Sequence, residues 1–150
     1  MARPTPIADA LSAPYWDNVA QGRFTLPRCT ACSRFHFYPR PACPHCGAET
    51  LTWTAASGRG SVYSFSIVQR APSAAFAGDV PYVVAIVATD EGPHLMSRVV
   101  GVRPDEVRIG MRVRVRVEAQ GDAPMLPLFE FDPNDAVVTT AGAAARSTPT

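Results

Sequence analysis

The alternation of apolar and polar residues predicts a chain built mainly from β-strands. The pattern is clearest from Met111 to Glu118, where Met111 and three valines alternate with three arginines and Glu118. A period of two places successive side chains on opposite faces of a strand, so one face would be buried and the other solvated. The segment from Tyr82 to Thr89 is apolar on both faces and is expected to lie centrally in a sheet.

Five such segments follow the turn Gly58-Arg59-Gly60, and they predict a small barrel. They comprise residues 61–70, 82–89, 95–100, 111–118 and 126–131. A turn at residues 90–93 joins the second strand to the third, and Pro104-Asp105-Glu106 suits a single helical turn between the third and fourth. A meander of three strands, a short helical connection and two more strands is typical of an OB-fold. We therefore expect a five-stranded OB-fold domain over residues 58–133.

A short helix is predicted near the N-terminus. Ser12 can cap it, and Pro14 suits its first turn. A single helix of this length is not stable alone, so its aromatic pair, Tyr15 and Trp16, must pack either on the protein's own next domain or on another chain. The second option would make residues 1–23 an N-terminal helical arm for interaction.

Two Cys-x-x-Cys pairs contain all the cysteines of the chain, namely Cys29, Cys32, Cys43 and Cys46. Zinc takes four ligands tetrahedrally, and two such turns supply four sulfurs without an open position for a substrate. The spacing predicts a zinc ribbon over residues 24–57 with one structural zinc ion per chain. Between the pairs, Phe35, Phe37 and Tyr38 alternate with polar residues as short strands would require.

Other roles for these residues are less favoured. Disulfides belong to secreted proteins, and the first ten residues contain no apolar run that could serve as a signal peptide, so a cytoplasmic location is expected. A redox pair would open a helix, whereas both pairs here lie among prolines. His36 and His45 could each replace a cysteine as ligand, but four sulfurs complete the shell, and exposed loop residues are the favoured interpretation.

The amino-acid composition argues against several classes of function. The formal net charge is +1, which gives no global basic field for nucleic acid. All fourteen basic residues are arginine, so no lysine is present for Schiff-base chemistry. No stretch approaches the roughly 20 apolar residues needed to cross a bilayer. Residues 134–150 are rich in small and polar residues and are expected to form a flexible tail.

The sequence contains no recognisable catalytic set. It lacks the motifs of serine hydrolases, phosphate-cradling loops and zinc proteases. With the cysteines assigned to zinc, no nucleophile has an obvious activating neighbour. His94 is the only histidine outside the ribbon and follows Pro93 at a turn, where an exposed turn residue is favoured over a general base.

Two sets of side chains on the predicted barrel are candidates for ligand binding. The polar face of strand 111–118 carries an arginine ladder, which consists of Arg112, Arg114 and Arg116. Arginine suits phosphate, and OB barrels often bind extended ligands across one face. The favoured alternative is pairing with carboxylates on neighbouring strands, for which the candidates are Glu118, Glu130 and Asp132. Tyr63, Phe65 and Phe76 could stack on bases, but a core position is favoured for them.

A set of short motifs, in this order, resembles one family. The motifs are Pro14-Tyr15-Trp16, Arg28-Cys29, Pro39-Arg40, Cys43-Pro44-His45-Cys46-Gly47, residues 58–64 from Gly58 to Ser64, Pro81-Tyr82 and Pro127-Leu128-Phe129. They resemble the bacterial and archaeal acyl-CoA-associated proteins that join an N-terminal helix and a rubredoxin-like zinc ribbon to a C-terminal OB-fold. The likeness covers about residues 12–133. One departure is Ser33, where a knuckle often has glycine for its left-handed turn.

The resemblance implies a non-catalytic accessory subunit. Such proteins accompany thiolase-fold enzymes, which include thiolases and aldolases, or enoyl-CoA hydratases, and the OB domain is thought to contact acyl-CoA. The chain would then be part of a hetero-oligomer, with Tyr15 and Trp16 as partner contacts and the arginine ladder as a weaker candidate for the CoA phosphates. The alternative is a module that binds single-stranded nucleic acid, since ribbons and OB barrels both serve that role. A free-standing enzyme that uses His94 is the least favoured hypothesis.

Overall fold

The computed structural model describes residues 3–119 and 124–134. The elements in chain order are α1 (Ala13–Ala20), β1 (Thr25–Cys29), β2 (Leu51–Ala55), β3 (Arg59–Val68), β4 (Tyr82–Thr89), β5 (His94–Val100), β6 (Arg112–Ala119) and β7 (Met125–Phe131). Two single 3₁₀ turns lie at Ala74–Phe76 and Pro104–Glu106. None of the helices in the described ranges is long and apolar enough to cross a membrane. Apart from Asn134, the predicted tail lies outside the described residues.

The helix α1 forms where it was expected, with Ser12 at the N-cap position but with its side chain turned to another role. The Ser12 side chain makes no cap hydrogen bond. Instead, Asp9 Oδ1 accepts hydrogen bonds from the backbone N–H of Ser12 at 2.7 Å and of Leu11 at 3.1 Å. The hydrogen bonds from Ser12 and Leu11 hold the pKa of Asp9 below its ordinary value. Gly22 ends the helix in the left-handed conformation, with φ of 73°.

The ribbon is a two-stranded antiparallel sheet with two cysteine turns attached. Strand β1 pairs with β2 so that Thr25 lies opposite Ala55 and Cys29 opposite Leu51. The prediction of short strands between the cysteine pairs is wrong, because the only pairing there is an isolated bridge between Phe35 and Arg28. Instead, Phe37 of this segment packs against the helix, with its ring centroid 5.4 Å from that of Tyr15.

The remaining strands form the closed barrel that the sequence predicts. Its order is β3-β4-β5-β7-β6, and β6 returns to pair with β3. All neighbours are antiparallel except β5 and β7, which run parallel. The predicted meander is β3, β4 and β5, and the predicted helical turn at Pro104–Glu106 precedes β6. Closure leaves no open sheet edge and confirms the OB-type fold.

One hydrophobic core joins the helix, the ribbon and the barrel. The ring of Phe24, just before β1, packs edge-on against Phe129 of β7, with ring centroids 6.2 Å apart. Tyr15 and Val19 of α1 are buried in the same cluster of side chains. The helix is therefore part of the folded unit. The domain limits at residues 23, 57 and 133 stay predictions.

A glycine near the start of β3 allows two neighbouring strands to pack close to it. Gly60 lies opposite Thr89 of β4 and Val113 of β6, so two neighbouring strands approach it. A Cβ at this position would lie 2.5 Å from the carbonyl oxygen of Ala88 and 3.1 Å from the Cα of Thr89. These are backbone atoms, so the clash cannot be relieved by rotating a side chain.

We predict that Gly60→Ala destabilises the protein by about 1–3 kcal/mol, the usual cost of an overpacked core. Gly78→Ala is the matched control, because a Cβ there meets nothing within 4 Å and the glycine is not in a left-handed conformation. Chemical denaturation of both variants measures the difference. Equal stabilities of the two variants would contradict the role assigned to Gly60.

Candidate functional site

The four cysteines come together at one end of the ribbon. The sulfur of Cys29 lies 3.6 Å from that of Cys46, and the sulfur of Cys32 lies 3.7 Å from that of Cys43. All four sulfurs lie within 4.8 Å of one another. Sulfurs at the corners of a tetrahedron with Zn–S bonds of about 2.3 Å would be roughly 3.8 Å apart. The geometry and the donor set therefore fit a zinc ion.

The two cysteine turns have the same backbone structure. The N–H of Ser33 donates to the carbonyl of Cys29, and the N–H of Gly47 donates to the carbonyl of Cys43, both at 2.9 Å. Ser33 and Gly47 occupy equivalent left-handed positions, with φ of 62° and 78°. Ser33 thus adopts the left-handed conformation in which glycine is usual. The first turn, which has serine at this position, has the same structure as the second turn, which has glycine.

Backbone amides favour the thiolate form of Cys29. Hydrogen bonds from the backbone of Cys32 and Ala31 lower the pKa of the Cys29 thiol to about 6. The backbone N–H of His45 also points to the sulfur of Cys43, at 3.4 Å. Such donors to the sulfur are the usual second layer of a thiolate site. Burial and the neighbouring thiols raise the pKa of Cys46 to about 11, so Cys29 is the ligand that the protein itself holds closest to the thiolate form.

The two histidines of the ribbon lie outside the sulfur cluster. His45 is exposed, as expected, and its Nε2 lies 3.2 Å from the carbonyl oxygen of Phe35. The expectation that His36 is an exposed loop residue is wrong, because only 4% of it is accessible. The backbone N–H of His36 donates a hydrogen bond to the carbonyl of Pro27. This bond holds the loop against β1 and buries the residue.

An apolar groove lies where the helix, the ribbon and the barrel meet. Its volume is about 400 Å³. Trp16 of α1 forms one wall, Tyr38 of the ribbon another, and Tyr82 and Met96 of the barrel the floor. Tyr38 and Met96 are 57% and 59% exposed, which is unusual for large apolar side chains and is typical of a contact surface.

A charged network supports one end of the groove. Asp79 accepts hydrogen bonds from Arg98 at 2.9 Å and from Arg3 at 2.7 Å. The guanidinium of Arg98 also lies over the ring of Tyr82, 4.4 Å from its centroid. These contacts hold the Tyr82 ring in place as part of the groove floor.

The two candidate partner-binding residues differ in how deeply they are buried. Tyr15 is buried, and its ring centroid lies 6.1 Å from that of Trp53 of the ribbon. Tyr15 therefore packs on the protein's own ribbon, which was one of the two predicted possibilities. Burial raises the pKa of its hydroxyl, so the side chain stays neutral. Trp16 is only partly buried, and both side chains line the groove. Partner contact stays a prediction for both residues.

The arginine ladder is paired with carboxylates. Arg112 makes two hydrogen bonds of 2.8 Å to Asp90, and Arg114 makes one of 2.9 Å to Glu130. Arg116 lies 3.0 Å from Glu118. Binding of CoA phosphates to these arginines stays a prediction, and a phosphate would have to compete with these carboxylates.

The aromatic residues and the remaining histidine are divided between surface and core. Tyr63 is exposed, and its ring centroid lies 4.5 Å from that of His94, with the two rings tilted by 46°. His94 is exposed at the start of β5. Phe65 packs against the core as expected, whereas Phe76 lines the groove. The prediction of a core position is thus wrong for Tyr63, because its side of β3 faces outward, and for Phe76, because it lines the groove outside the core cluster.

Sequence reasoning did not identify the groove. Its floor and walls come from residues around 16, 38, 82 and 96, which are far apart in the chain. The one available signal was the even-numbered face of the segment 82–89, which is apolar although one face of a barrel strand normally meets solvent.

These features define a class of protein: a four-cysteine zinc ribbon, preceded by a helix and fused to an OB barrel. Comparison with known families gives two matches. Residues 16–52 match the family described as ChsH2, rubredoxin-like zinc ribbon domain. Residues 53–118 match the family described as ChsH2, C-terminal OB-fold domain. Together they span most of the described chain.

Similar proteins support the same assignment. A DUF35 domain-containing scaffold protein of Methanocaldococcus jannaschii is 34% identical over 111 residues, which are 71% of this chain and 78% of that protein. The solved structure of an Ltp2-ChsH2(DUF35) aldolase contains a chain that is 35% identical, with a TM-score of 0.77 over 84% of this chain and 98% of that one. The chain therefore belongs to the ChsH2-type DUF35 family.

A further relative is much longer. The probable enoyl-CoA hydratase alpha subunit of Thermomonospora curvata is 39% identical over 111 residues, which are 74% of this chain. The chain spans about a third of the length of that protein, 34%.

We predict that Cys43→Ser loses most of its bound zinc, because three sulfurs no longer close the tetrahedron, and that its ribbon unfolds at a lower temperature. His45→Gln is the control and should keep the zinc, since its ring is hydrogen-bonded to Phe35 and not among the sulfurs. Metal analysis of the purified variants, together with thermal unfolding, measures both effects. Loss of zinc from His45→Gln would show that the ligand set includes histidine.

Proposed function

We propose that this chain is a non-catalytic accessory subunit of an enzyme complex in acyl-CoA metabolism. Its partner would be a thiolase-fold enzyme, either a thiolase or an aldolase, or an enoyl-CoA hydratase. The observation that carries this proposal is the match to nearly the whole ChsH2(DUF35) chain of an aldolase. A relative named as a hydratase alpha subunit supports the same class of partner.

The apolar groove is the proposed contact surface for the partner. Trp16 and Met96 lie on opposite elements, the helix and the barrel, and both present apolar surface to the groove. Aromatic and methionine side chains in such positions are typical of the energetically important centre of a protein interface. Tyr15 would act indirectly, because its ring packs edge-on against Trp16 at 5.1 Å and sets the position of the indole.

One structural zinc ion per chain would hold the ribbon side of this surface. Tyr38 follows the first cysteine turn by six residues and precedes the second by five, so its loop is tethered at both ends by the metal site. The metal would supply rigidity and no catalytic step, because four sulfurs leave no position for a substrate. Cysteines kept as thiolates suit the reducing environment of the cytoplasm, where we place the complex.

The residues of this chain would bind the partner enzyme and help to position its substrate, and they would not take part in the reaction. Among the described residues, His94 makes no hydrogen bond to a carboxylate or a nucleophile, and its ring lies beside that of Tyr63. The chemistry would therefore lie in the partner, with the OB barrel close to the acyl-CoA that the partner uses.

We predict that Met96→Glu weakens binding to the partner at least tenfold, because it places an unpaired charge in the apolar groove. The measurement is an affinity pull-down of the tagged protein from its native cell extract, with the bound proteins identified and the zinc content assayed. Trp16→Ala should reduce recovery in the same assay.

Ile109→Glu is the matched control, since Ile109 is 71% exposed and does not line the groove. It adds the same charge to an exposed apolar residue and should leave recovery unchanged. Recovery of a thiolase-like enzyme or a hydratase that is insensitive to Met96→Glu and Trp16→Ala would move the contact away from the groove. Recovery of no acyl-CoA enzyme would contradict the proposed function.

The nucleic-acid alternative has weaker support, because the arginine ladder that would hold a phosphate backbone is paired with carboxylates. Titration with single-stranded DNA or RNA at low salt distinguishes the two. Tight binding that falls steeply with salt would favour a nucleic-acid-binding module.

A further inference from the structure

A second cavity lies between the ribbon and the turn that joins β4 to β5. Its volume is about 670 Å³, within the range of small-molecule sites. The ribbon contributes Arg34, which follows the first cysteine turn, and His45, which lies within the second. The barrel contributes Glu91 and the turn residues after it. Phe37 separates this polar cavity from the apolar groove, since it lines both.

Two arginines that line the cavity have unused hydrogen-bonding capacity. Within the described part of the chain, neither Arg34 nor Arg40 donates a side-chain hydrogen bond or forms an ion pair. This distinguishes them from the arginine ladder, whose members each contact a carboxylate. A guanidinium presents a planar fork of N–H donors that matches the oxygens of a phosphate. The cavity therefore offers two such forks without an internal competitor at either.

Two buried groups in the same cavity also lack partners. Both ring nitrogens of His36 are buried without a hydrogen-bond partner, although at least one of them carries a proton. Glu91 lines the cavity as well; its Oε1 accepts a hydrogen bond from the backbone N–H of Ser57, while its Oε2 is buried and unpaired. Buried polar atoms are normally satisfied, so an orphaned donor and an orphaned acceptor beside one cavity indicate a ligand with both kinds of group.

We propose that this cavity binds a phosphorylated small molecule. Arg34 and Arg40 hold the phosphate oxygens, and His36 donates a further hydrogen bond. Glu91 repels a bare anion and accepts a hydrogen bond from a hydroxyl or amino group that lies beside the phosphate. The cavity thus selects a molecule such as a nucleotide over free phosphate or pyrophosphate.

The site does not depend on the partner enzyme, because every residue named for it belongs to this chain. It does depend on the ribbon, since Arg34 and His45 are each within two residues of a cysteine. The experiment therefore uses the full chain loaded with zinc.

The test is calorimetric titration at low salt with inorganic phosphate, pyrophosphate and adenosine 3′,5′-bisphosphate as probes. We expect saturable binding of the nucleotide, tighter than that of pyrophosphate. Arg34→Gln and Arg40→Gln should each weaken nucleotide binding about tenfold, because each removes a charged, two-pronged contact. Arg70→Gln is the matched control, an exposed arginine outside the cavity, and should change binding less than twofold.

Glu91→Gln tests the selectivity separately. The amide can still accept the bond from Ser57, but it replaces the orphaned acceptor with a donor, so pyrophosphate should bind more tightly and the preference for the nucleotide should shrink. The proposal is overturned if no probe binds saturably, if Arg34→Gln and Arg40→Gln leave binding unchanged, or if Arg70→Gln weakens it equally. Equal binding of pyrophosphate and the nucleotide by the unmodified chain would overturn the role of Glu91.

Discussion

The packing of the ribbon against the barrel, with Phe24 edge-on to Phe129, is the contact on which the rest of the structure depends. A two-stranded sheet of five-residue strands cannot bury a core of its own, and an eight-residue helix is not stable alone. Both become stable here because Tyr15, Val19 and Leu26 join the same cluster as the barrel valines. The four cysteines hold the opposite end of the ribbon, away from this cluster.

This shared core also explains why both candidate binding surfaces lie at junctions. The barrel interior is filled by buried side chains such as Val62, Val87 and Phe129. The apolar groove opens where Trp16 and Tyr38 lie above the outer face of β4 and β5, and the polar cavity opens where the cysteine turns face the β4–β5 turn. Each surface needs residues from at least two of the three parts. A loss of ribbon structure would therefore affect both surfaces while leaving the barrel strands paired.

The arginines show how far charge patterns can be interpreted from sequence. The alternation in β6 correctly predicted that Arg112, Arg114 and Arg116 share one face, because a strand has a period of two. It also suggested carboxylate partners, of which Glu118 and Glu130 are found in contact. It did not reveal that Arg34 and Arg40, which make no such pair, line one cavity. That difference depends on which loops come together, and loop positions have no period.

Local patterns in the sequence determined the strand positions, the OB-type order and the cysteine turns. These features follow from contacts between residues close in the chain or from a repeat in side-chain polarity, and both can be read without coordinates. The burial of His36, the outward position of Tyr63, the loss of the strands expected near Phe37 and the two cavities were decided only by tertiary structure. Each of these depends on a contact between distant segments, such as Phe37 with Tyr15. The energy of such a contact is set by geometry that no local stretch of sequence contains.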